Sequence, residues 1–291
     1  MKRTKKPARA DAILTADWHL REDTPVCRAD NFPEAQWRKV DFVRQLQEQH
    51  QCPVLHAGDL FHHWKPSPRL LSQCLEHLPN QFHTVYGNHD LPQHNLDLAE
   101  KSGVHTLAVA GRLTILPHGH WANLPKKDPS IVLKGRKVAV WHVMTYAGKP
   151  PWPGCKATPG HLLLRKYSAY DLILTGDNHQ RFTSRMDGRQ LVNPGNLTRQ
   201  AASDESPAVF LWYAQNNDVK QVDLPHDPEA VTREHLDRVE ERDTRISAFI
   251  ERLNDNWTPD LNFRNNLKQF ELSNKVPHSV MNIVYRAMEE V

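Results

Sequence analysis

The sequence has little cysteine and no long apolar run. Four of its 291 residues are cysteines, and none of them forms a CxxC pair, which argues against a disulfide framework or a cysteine zinc site. This pattern predicts a reducing, cytoplasmic location. No stretch reaches the roughly 18 apolar residues of a membrane-spanning helix. The first ten residues, MKRTKKPARA, lack the apolar core of a secretory signal.

Charge is distributed unevenly along the chain. Residues 216–291 carry 10 basic and 15 acidic side chains, while residues 1–215 carry 27 basic and 19 acidic ones, so the net charges are −5 and +8. Residues 1–10 are expected to form a basic, flexible tail. A positive front domain suits a partner that carries phosphates.

Short apolar runs alternate with helical patterns in the first half of the chain. The runs are AILTAD (12–17), PVLHAGD (53–59), FHTVYGNHD (82–90), KVAVWHV (137–143) and DLILTGDNH (171–179). Such alternation predicts a mostly parallel sheet with layers on both faces. The proline-rich stretch 148–160 is predicted to be a long loop between two core strands.

The second half of the sequence changes its pattern. Asp187-Gly188 and Asn216-Asn217 each separate two strand-like runs, which indicates two β-hairpins. A helical pattern covers residues 228–253, and a last helix is predicted over 278–290. We therefore expect one domain over residues 11–224 and a helical C-terminal segment over 225–291.

Polar side chains follow each of the five apolar runs, often beside a glycine. These side chains belong to Asp17, His19, Asp59, Asn88, His89, Asp90, His142, Asp177 and His179. A single such site is more often a capping acid and a surface histidine than a pair of ligands. Five sites at the ends of five strands, however, should meet at one edge of a sheet. Carboxylate and imidazole groups in that number suit two divalent ions that share one bridging acid.

This series of motifs resembles the calcineurin-like metallophosphoesterase superfamily over roughly residues 10–215. The resemblance rests on DxH at 17–19, GD at 58–59, GNHD at 87–90, the lone His142, and G-x-x-H at 176–179. It implies an α/β fold, a four-layer α/β/β/α sandwich of two mixed sheets flanked by helices, followed here by the small helical segment. The sequence VNPGN at 192–196 resembles the turn that often follows the last metal motif.

A second resemblance points to one branch of that superfamily. The stretch AGDLFHHWKPSPRLL (57–71) is similar to the GDLF-H-x-x-x-PS segment of SbcD-type DNA repair nucleases. General phosphodiesterases more often have GDxxD there. The resemblance implies an exonuclease acting on DNA, an SbcC-like coiled-coil ATPase as a partner, and a homodimer as one assembly.

The resemblance also implies a division of the site residues. Asp17, His19 and His179 would hold the first ion, Asp59 would bridge, and Asn88, His142 and Asp177 would hold the second. A bridging hydroxide would attack phosphorus, while His89, paired with Asp90, would act as general acid, and His62 would lie near the phosphate backbone. Two alternatives are that the His89–Asp90 pair only shapes its loop, and that His142 is a core histidine.

Asp177 departs from the resemblance, because the family usually has GHxH at this place. The aspartate would bind the second ion directly, bind it through a water, or mark a weakened site, and we favour direct ligation. A third carboxylate facing two dications should favour Mn²⁺, or Mg²⁺, over zinc.

Three features of the sequence allow two or more interpretations. The same metal centre would serve a phosphodiesterase of nucleotides or other small phosphoesters, and a non-catalytic scaffold is a further alternative. Trp64 and Trp152 either stack on unpaired bases or pack against the domain. The segment 225–291 is either a reduced DNA-binding cap or a partner-binding element.

Overall fold

The computed structural model of the chain describes residues 8–124, 128–234, 245 and 263–289. The chain divides into two compact units, Met1–Thr232 and Arg233–Val291. Within the described ranges, none of the helices combines the length and the apolar character needed to cross a bilayer.

The first unit is built from short strands and helices that alternate along the chain. Its strands are β1 (Ala12–Thr15), β2 (Val54–His56), β3 (Phe82–Thr84), β4 (Thr114–Ile115), β5 (Ile131–Leu133), β6 (Arg136–Trp141), β7 (Thr145–Tyr146), β8 (Thr158–Pro159), β9 (Leu172–Thr175), β10 (Phe182–Met186), β11 (Arg189–Asn193), β12 (Ala208–Tyr213) and β13 (Asp218–Asp223). Its helices are α1 (Phe32–His50), α2 (Pro68–His77), α3 (Gly103–Val109) and α4 (Gly160–Lys166), with 3₁₀ turns at Pro92–His94, Leu96–Lys101 and Pro228–Ala230.

Two mixed sheets form the centre of this unit. The six-stranded sheet has the order β13-β12-β1-β2-β3-β4, in which β1 to β4 run parallel and β12 is antiparallel to β1. The five-stranded sheet has the order β10-β11-β9-β6-β5, and its central strands β6 and β9 are parallel. A two-stranded sheet joins β7 to β8. The predicted parallel sheet is therefore two mixed sheets, as the family resemblance implied.

The buried apolar side chains form three clusters, because successive residues of a strand point to opposite faces of its sheet. On β1, Ala12 and Leu14 contribute to the cluster between the two sheets, while Ile13 faces the cluster that includes helix residues such as Val40. On β9, Ile173 packs with Leu164 of α4 on the outer face of the second sheet. Because successive strand residues point to opposite faces, each sheet buries both of its faces. The result is the predicted four-layer α/β/β/α sandwich.

Both predicted hairpins are confirmed. Strands β10 and β11 are joined by Asp187 and Gly188, whose φ angles of 50° and 74° are those of a left-handed two-residue turn. Strands β12 and β13 are joined by residues 214–217, with Asn217 at φ 52°. The predicted loop 148–160 is shorter than expected, because Thr158 pairs with Thr145 and α4 begins at Gly160.

The second unit contains two helices in its described part. They are α5 (Phe263–Asn274) and α6 (His278–Glu289), and α6 matches the predicted last helix. Of the predicted helix over 228–253, residues 228–230 form a 3₁₀ turn, whereas 235–244 and 246–253 lie outside the described residues. Residues 228–232 belong to the first unit, where Thr232 donates to the carbonyl of Cys27 and Ala29 to that of Ala230.

Candidate metal centre

The loops after five strands meet at one edge of the sandwich. In the first sheet these loops follow β1, β2 and β3, and in the second sheet they follow β6 and β9. Backbone hydrogen bonds join them: Asp17 donates to the carbonyl of Gly58 at 3.1 Å, and His19 to that of Asp59 at 3.0 Å. The polar side chains that the sequence predicted are thus brought together from both sheets.

Several predicted ligands have a left-handed backbone, which L-residues other than glycine rarely adopt. The φ angles are 49° at Asp17, 44° at His19, 56° at Asp59 and 72° at Asp177. Each such residue costs about 1 to 3 kcal/mol and persists only where the surroundings enforce it. The left-handed backbone turns the chain sharply after each strand, and the side chain then faces the common site.

Glycines make the close approach of these loops feasible. A Cβ at Gly87 would lie 2.0 Å from Oδ1 of Asp59, and one at Gly58, where φ is 89°, would lie 2.6 Å from Nδ1 of His142. Neither position has room for a larger side chain. The GD and GNHD motifs therefore need their glycines for packing as well as for turning.

The first group of ligand atoms comes from Asp17, His19 and His179. Their ligand atoms lie within 4.8 Å of one another, and Nε2 of His19 is 3.1 Å from Nε2 of His179. Oδ2 of Asp17 is buried and has no hydrogen-bond partner. A buried carboxylate oxygen without a donor is costly, and a cation would satisfy it.

The second group surrounds Nε2 of His142. Oδ1 of Asn88 lies 2.9 Å from this nitrogen, and Oδ1 of Asp177 lies 3.8 Å from it. Nδ1 of His142 donates to the carbonyl of Ala57 at 2.7 Å. With Nδ1 bound to that carbonyl, Nε2 is the ring nitrogen that faces the group, as in histidines that bind metals.

A single carboxylate oxygen joins the two groups. Oδ2 of Asp59 lies 3.6 Å from Nε2 of His19 and 3.4 Å from Nε2 of His142. Its other oxygen, Oδ1, accepts from the backbone N–H of His89 at 2.9 Å, which fixes the orientation of the carboxylate. Asp59 is therefore placed to bridge two ions.

The electrostatics of the site without a cation are unfavourable. Burial raises the pKa of Asp17 well above its usual range and raises that of Asp177, and the charge of Asp59 adds to both shifts. Burial lowers the pKa of His19 and His179. For His142, burial lowers the pKa, but the charge of Asp59 outweighs it and raises the pKa to about 10. The ligand atoms come from carboxylates, imidazoles and one amide, and Oδ2 of Asp17 has no hydrogen-bond partner. Such a set of ligands fits two divalent ions.

The family model of the calcineurin-like phosphoesterase superfamily domain matches residues 12–216 of the sequence. The chain belongs to the calcineurin-like phosphoesterase superfamily. Membership supports phosphoester hydrolysis as the general activity, and the described ligand groups agree with the divalent metals that this fold typically binds. No curated protein matches the sequence.

Several solved structures are similar to the chain at low sequence identity. An archaeal phosphodiesterase is 15% identical, with a TM-score of 0.43 over 73% of this chain and 99% of the other. A Vps29 single mutant from Entamoeba histolytica is 14% identical, with a TM-score of 0.36 over 74% and 99%. A putative 5'-nucleotidase from Staphylococcus aureus is 13% identical, with a TM-score of 0.46 over 79% and 57%.

Three histidine rings lie together beside the first group of ligand atoms. The ring of His89 lies 4.8 Å from that of His19 and 5.6 Å from that of His62, between centroids. Nδ1 of His89 donates to the carbonyl of His62 at 2.8 Å, which leaves Nε2 for other partners. The predicted catalytic histidines His62 and His89 therefore lie together beside a predicted metal ligand.

Asp90 has different partners from those predicted. Its carboxylate accepts from the backbone N–H groups of four residues, namely Asp59, Leu60, Phe61 and Gly87, at 2.9 to 3.3 Å. Burial raises its pKa to about 7. Nδ1 of His89 donates to the His62 carbonyl rather than to Asp90, and the Asp90 carboxylate links the loops that follow β2 and β3.

The sequence reasoning missed residues that support the centre from outside the motifs. Gln200 donates to the carbonyl of His19 at 3.2 Å, and the ring of Trp121 lies 6.1 Å from that of His142. The NPGN turn supports the centre as well, because the residue that follows it, Leu197, donates to the carbonyl of Asp17 at 3.2 Å. Gln200 and Trp121 follow no apolar run, so no sequence pattern marks them.

Proposed function

We propose that this phosphoesterase is a metal-dependent DNA nuclease, an SbcD-type exonuclease that uses two manganese ions. The observation that carries the proposal is the course of residues 58–67, the segment that resembles the nuclease branch. It supplies the shared carboxylate of Asp59 and the carbonyl of His62 that orients His89. Asp59 belongs to the motif of the whole superfamily, so the support for the nuclease branch comes from His62, whose carbonyl orients His89.

The end of this segment has a local structural role that suits its sequence. Oγ of Ser67 accepts from the N–H of Leu70 at 3.1 Å and caps the start of α2. Pro66 packs so closely on Gly103 that a Cβ there would lie 2.3 Å from the proline ring. The proline and serine therefore hold the loop that carries His62.

Charge supports both the substrate and the metal in this proposal. The net charge of +8 on residues 1–215 favours a polyanion. Three carboxylates, those of Asp17, Asp59 and Asp177, approach the two ligand groups, and oxygen ligands favour manganese or magnesium over zinc.

The residues of the centre have different roles in the proposed hydrolysis of a phosphodiester. Two divalent ions, when bound, supply an activated water and neutralise the phosphate oxygens. Asp59 would contact the ions held by both groups, and the Ala57 carbonyl, which accepts from Nδ1, keeps Nε2 of His142 facing the centre. His89, held at Nδ1 by the His62 carbonyl, presents Nε2 to protonate the leaving oxygen.

The His89→Ala variant tests this function. The purified protein, stripped with EDTA, is supplied with manganese, magnesium or zinc and given linear double-stranded DNA, single-stranded DNA or bis-p-nitrophenyl phosphate. We expect manganese-dependent DNA degradation, and a fall of about 10²-fold or more in kcat for His89→Ala, because a general acid contributes about 10² to 10⁴.

The exposed histidine His161 on α4 gives a matched control, and His161→Ala should retain full activity. Hydrolysis of the small ester without degradation of DNA would replace the nuclease proposal by a small-molecule phosphodiesterase. No turnover of any substrate would favour a non-catalytic scaffold.

The second unit supports a proposal about a partner. On α6, Val280, Ile283 and Val284 are spaced by three and four residues, which places them on one face, and they are 48%, 70% and 37% exposed. An apolar face on a helix that remains in water suits a helical partner. We propose that it binds a coiled-coil ATPase of the SbcC type.

Replacing Ile283 by glutamate tests the partner proposal. Because Ile283 is exposed, the free energy of unfolding should change by less than about 0.5 kcal/mol. Co-elution with the ATPase in size-exclusion chromatography should be lost. If the chain alone elutes as a dimer and the variant as a monomer, the face instead joins two copies of the chain.

A further inference from the structure

The base of the loop 147–157 contacts the strand and the loop that carry predicted ligands. It begins five residues after His142, and its ends are joined by the pairing of Thr145 with Thr158. Oγ1 of Thr145 is 2.8 Å from Oγ1 of Thr175, and Nδ2 of Asn178 donates to the Thr145 carbonyl at 2.6 Å. Asn178 stands between two predicted ligands in the sequence, so the base of the loop and the ligand loop form one structure.

Trp152, in the middle of this loop, is 53% exposed. Among the tryptophans that the structure describes, Trp18, Trp141 and Trp212 are fully buried, and Trp37, Trp64 and Trp121 are half-buried. Trp64, the other candidate for stacking, lies beside His63, and its carbonyl accepts from Gly103. Of the two candidates, Trp152 is the one that presents its ring to water.

The residues around Trp152 restrict its backbone and carry positive charge. Three prolines, at 150, 151 and 153, restrict the backbone on both sides of the ring. A turn follows, in which Cys155 donates to the carbonyl of Trp152 at 3.2 Å and Gly154 has a φ of 80°. Lys149 and Lys156 are exposed, and residues 147–157 contain no acidic side chain. A preordered ring loses little entropy when a ligand stacks on it.

We infer that Trp152 stacks on a base of an unpaired strand whose phosphodiester lies at the metal centre, while Lys149 and Lys156 face the strand's phosphates. The inference rests on the proposed nuclease function and names its substrate class as single-stranded DNA or unpaired ends. Bases inside a duplex are stacked on their neighbours and offer no free face, whereas unpaired bases do.

Kinetics on two substrates test this role of Trp152. Trp152→Ala should lower kcat/KM on a single-stranded oligonucleotide about 10-fold, since stacking on one base is worth about 5- to 150-fold in affinity. Trp152→Phe should restore most of the loss. Hydrolysis of bis-p-nitrophenyl phosphate should be unchanged, because this ester carries no base and no neighbouring phosphate.

Binding supplies a second readout that does not depend on turnover. Fluorescence anisotropy of a labelled single strand in EDTA should show the same 10-fold loss for Trp152→Ala. The double variant Lys149→Ala/Lys156→Ala should reduce the slope of log K against log salt concentration by about 1.4, since each phosphate contact on a single strand contributes about 0.7.

Matched controls come from exposed residues elsewhere. Val109→Ala removes an apolar side chain that is 75% exposed, and Lys137→Ala/Lys220→Ala removes two exposed lysines near the opposite ends of the strands. These variants should behave like the wild type. Equal losses on DNA and on the small ester, or no loss in either DNA assay, would overturn the role of Trp152. If the wild type cleaves the small ester but neither degrades nor binds DNA, the nuclease proposal itself fails.

Discussion

Asp59→Asn is expected to lower kcat/KM about 10³- to 10⁴-fold and to leave fewer than two bound ions per chain. Oδ2 of Asp59 lies within 3.6 Å of both His19 Nε2 and His142 Nε2. An amide is almost the same shape, so the hydrogen bond from the His89 N–H to Oδ1 is retained. What is lost is the negative charge between the two ion positions, and several kcal/mol of transition-state stabilisation depend on the ions that it holds.

Two measurements separate this effect from damage to the fold. Metal content is determined by mass spectrometry after dialysis against limiting manganese, and the melting temperature is measured in EDTA. Asp97→Asn changes an exposed carboxylate in a 3₁₀ turn and should leave both metal content and activity unchanged. If Asp59→Asn retained two ions and activity within tenfold of the wild type, the shared-carboxylate assignment would be wrong.

The parts of the fold that the sequence predicted are those in which local pattern and tertiary structure agree. The apolar runs that became β1, β2, β3, β6 and β9 are buried on both faces, so they contain few polar residues until the chain leaves the sheet. Asp187 and Gly188 both tolerate positive φ and therefore mark a tight hairpin. The predicted ligands were found because they follow these runs directly.

Other features depend on contacts between distant parts of the chain. Strands β4 and β7 contain two residues each, too few to show any alternation. The role of Asp90 depends on backbone N–H groups some 30 positions earlier in the chain. Likewise, the left-handed backbone at Asp17 and Asp59 is enforced by the packing of neighbouring loops rather than by residue type. The division of the strands into two sheets also depends on tertiary contacts. The central strands of both sheets are apolar and parallel, so their local sequence does not distinguish them.

The second large effect is expected at Asp177, the position where this chain departs from the family motif. Asp177→Asn should reduce the bound ions from two to one and lower kcat/KM about 10³-fold, because an amide oxygen is a much weaker ligand than a carboxylate for a hard cation. Asparagine tolerates the left-handed φ of 72°, so the loop should keep its shape. The same metal analysis and the melting temperature in EDTA provide the readouts.

Asp177→His gives the matched comparison, since it restores the residue that the family usually has. Histidine also tolerates a left-handed φ, and it replaces one oxygen ligand near Nε2 of His142 with nitrogen. We expect this variant to keep two ions and to shift its preference from manganese toward zinc, because imidazole suits the softer ion.

The number of bound ions distinguishes the three interpretations of Asp177. Direct ligation predicts loss of an ion in Asp177→Asn and its retention in Asp177→His. Ligation through water predicts that Asp177→Asn keeps two ions with weakened affinity. A weakened site predicts one ion already in the wild type and a second gained only in Asp177→His, and in that case the aspartate would be the cause of the loss.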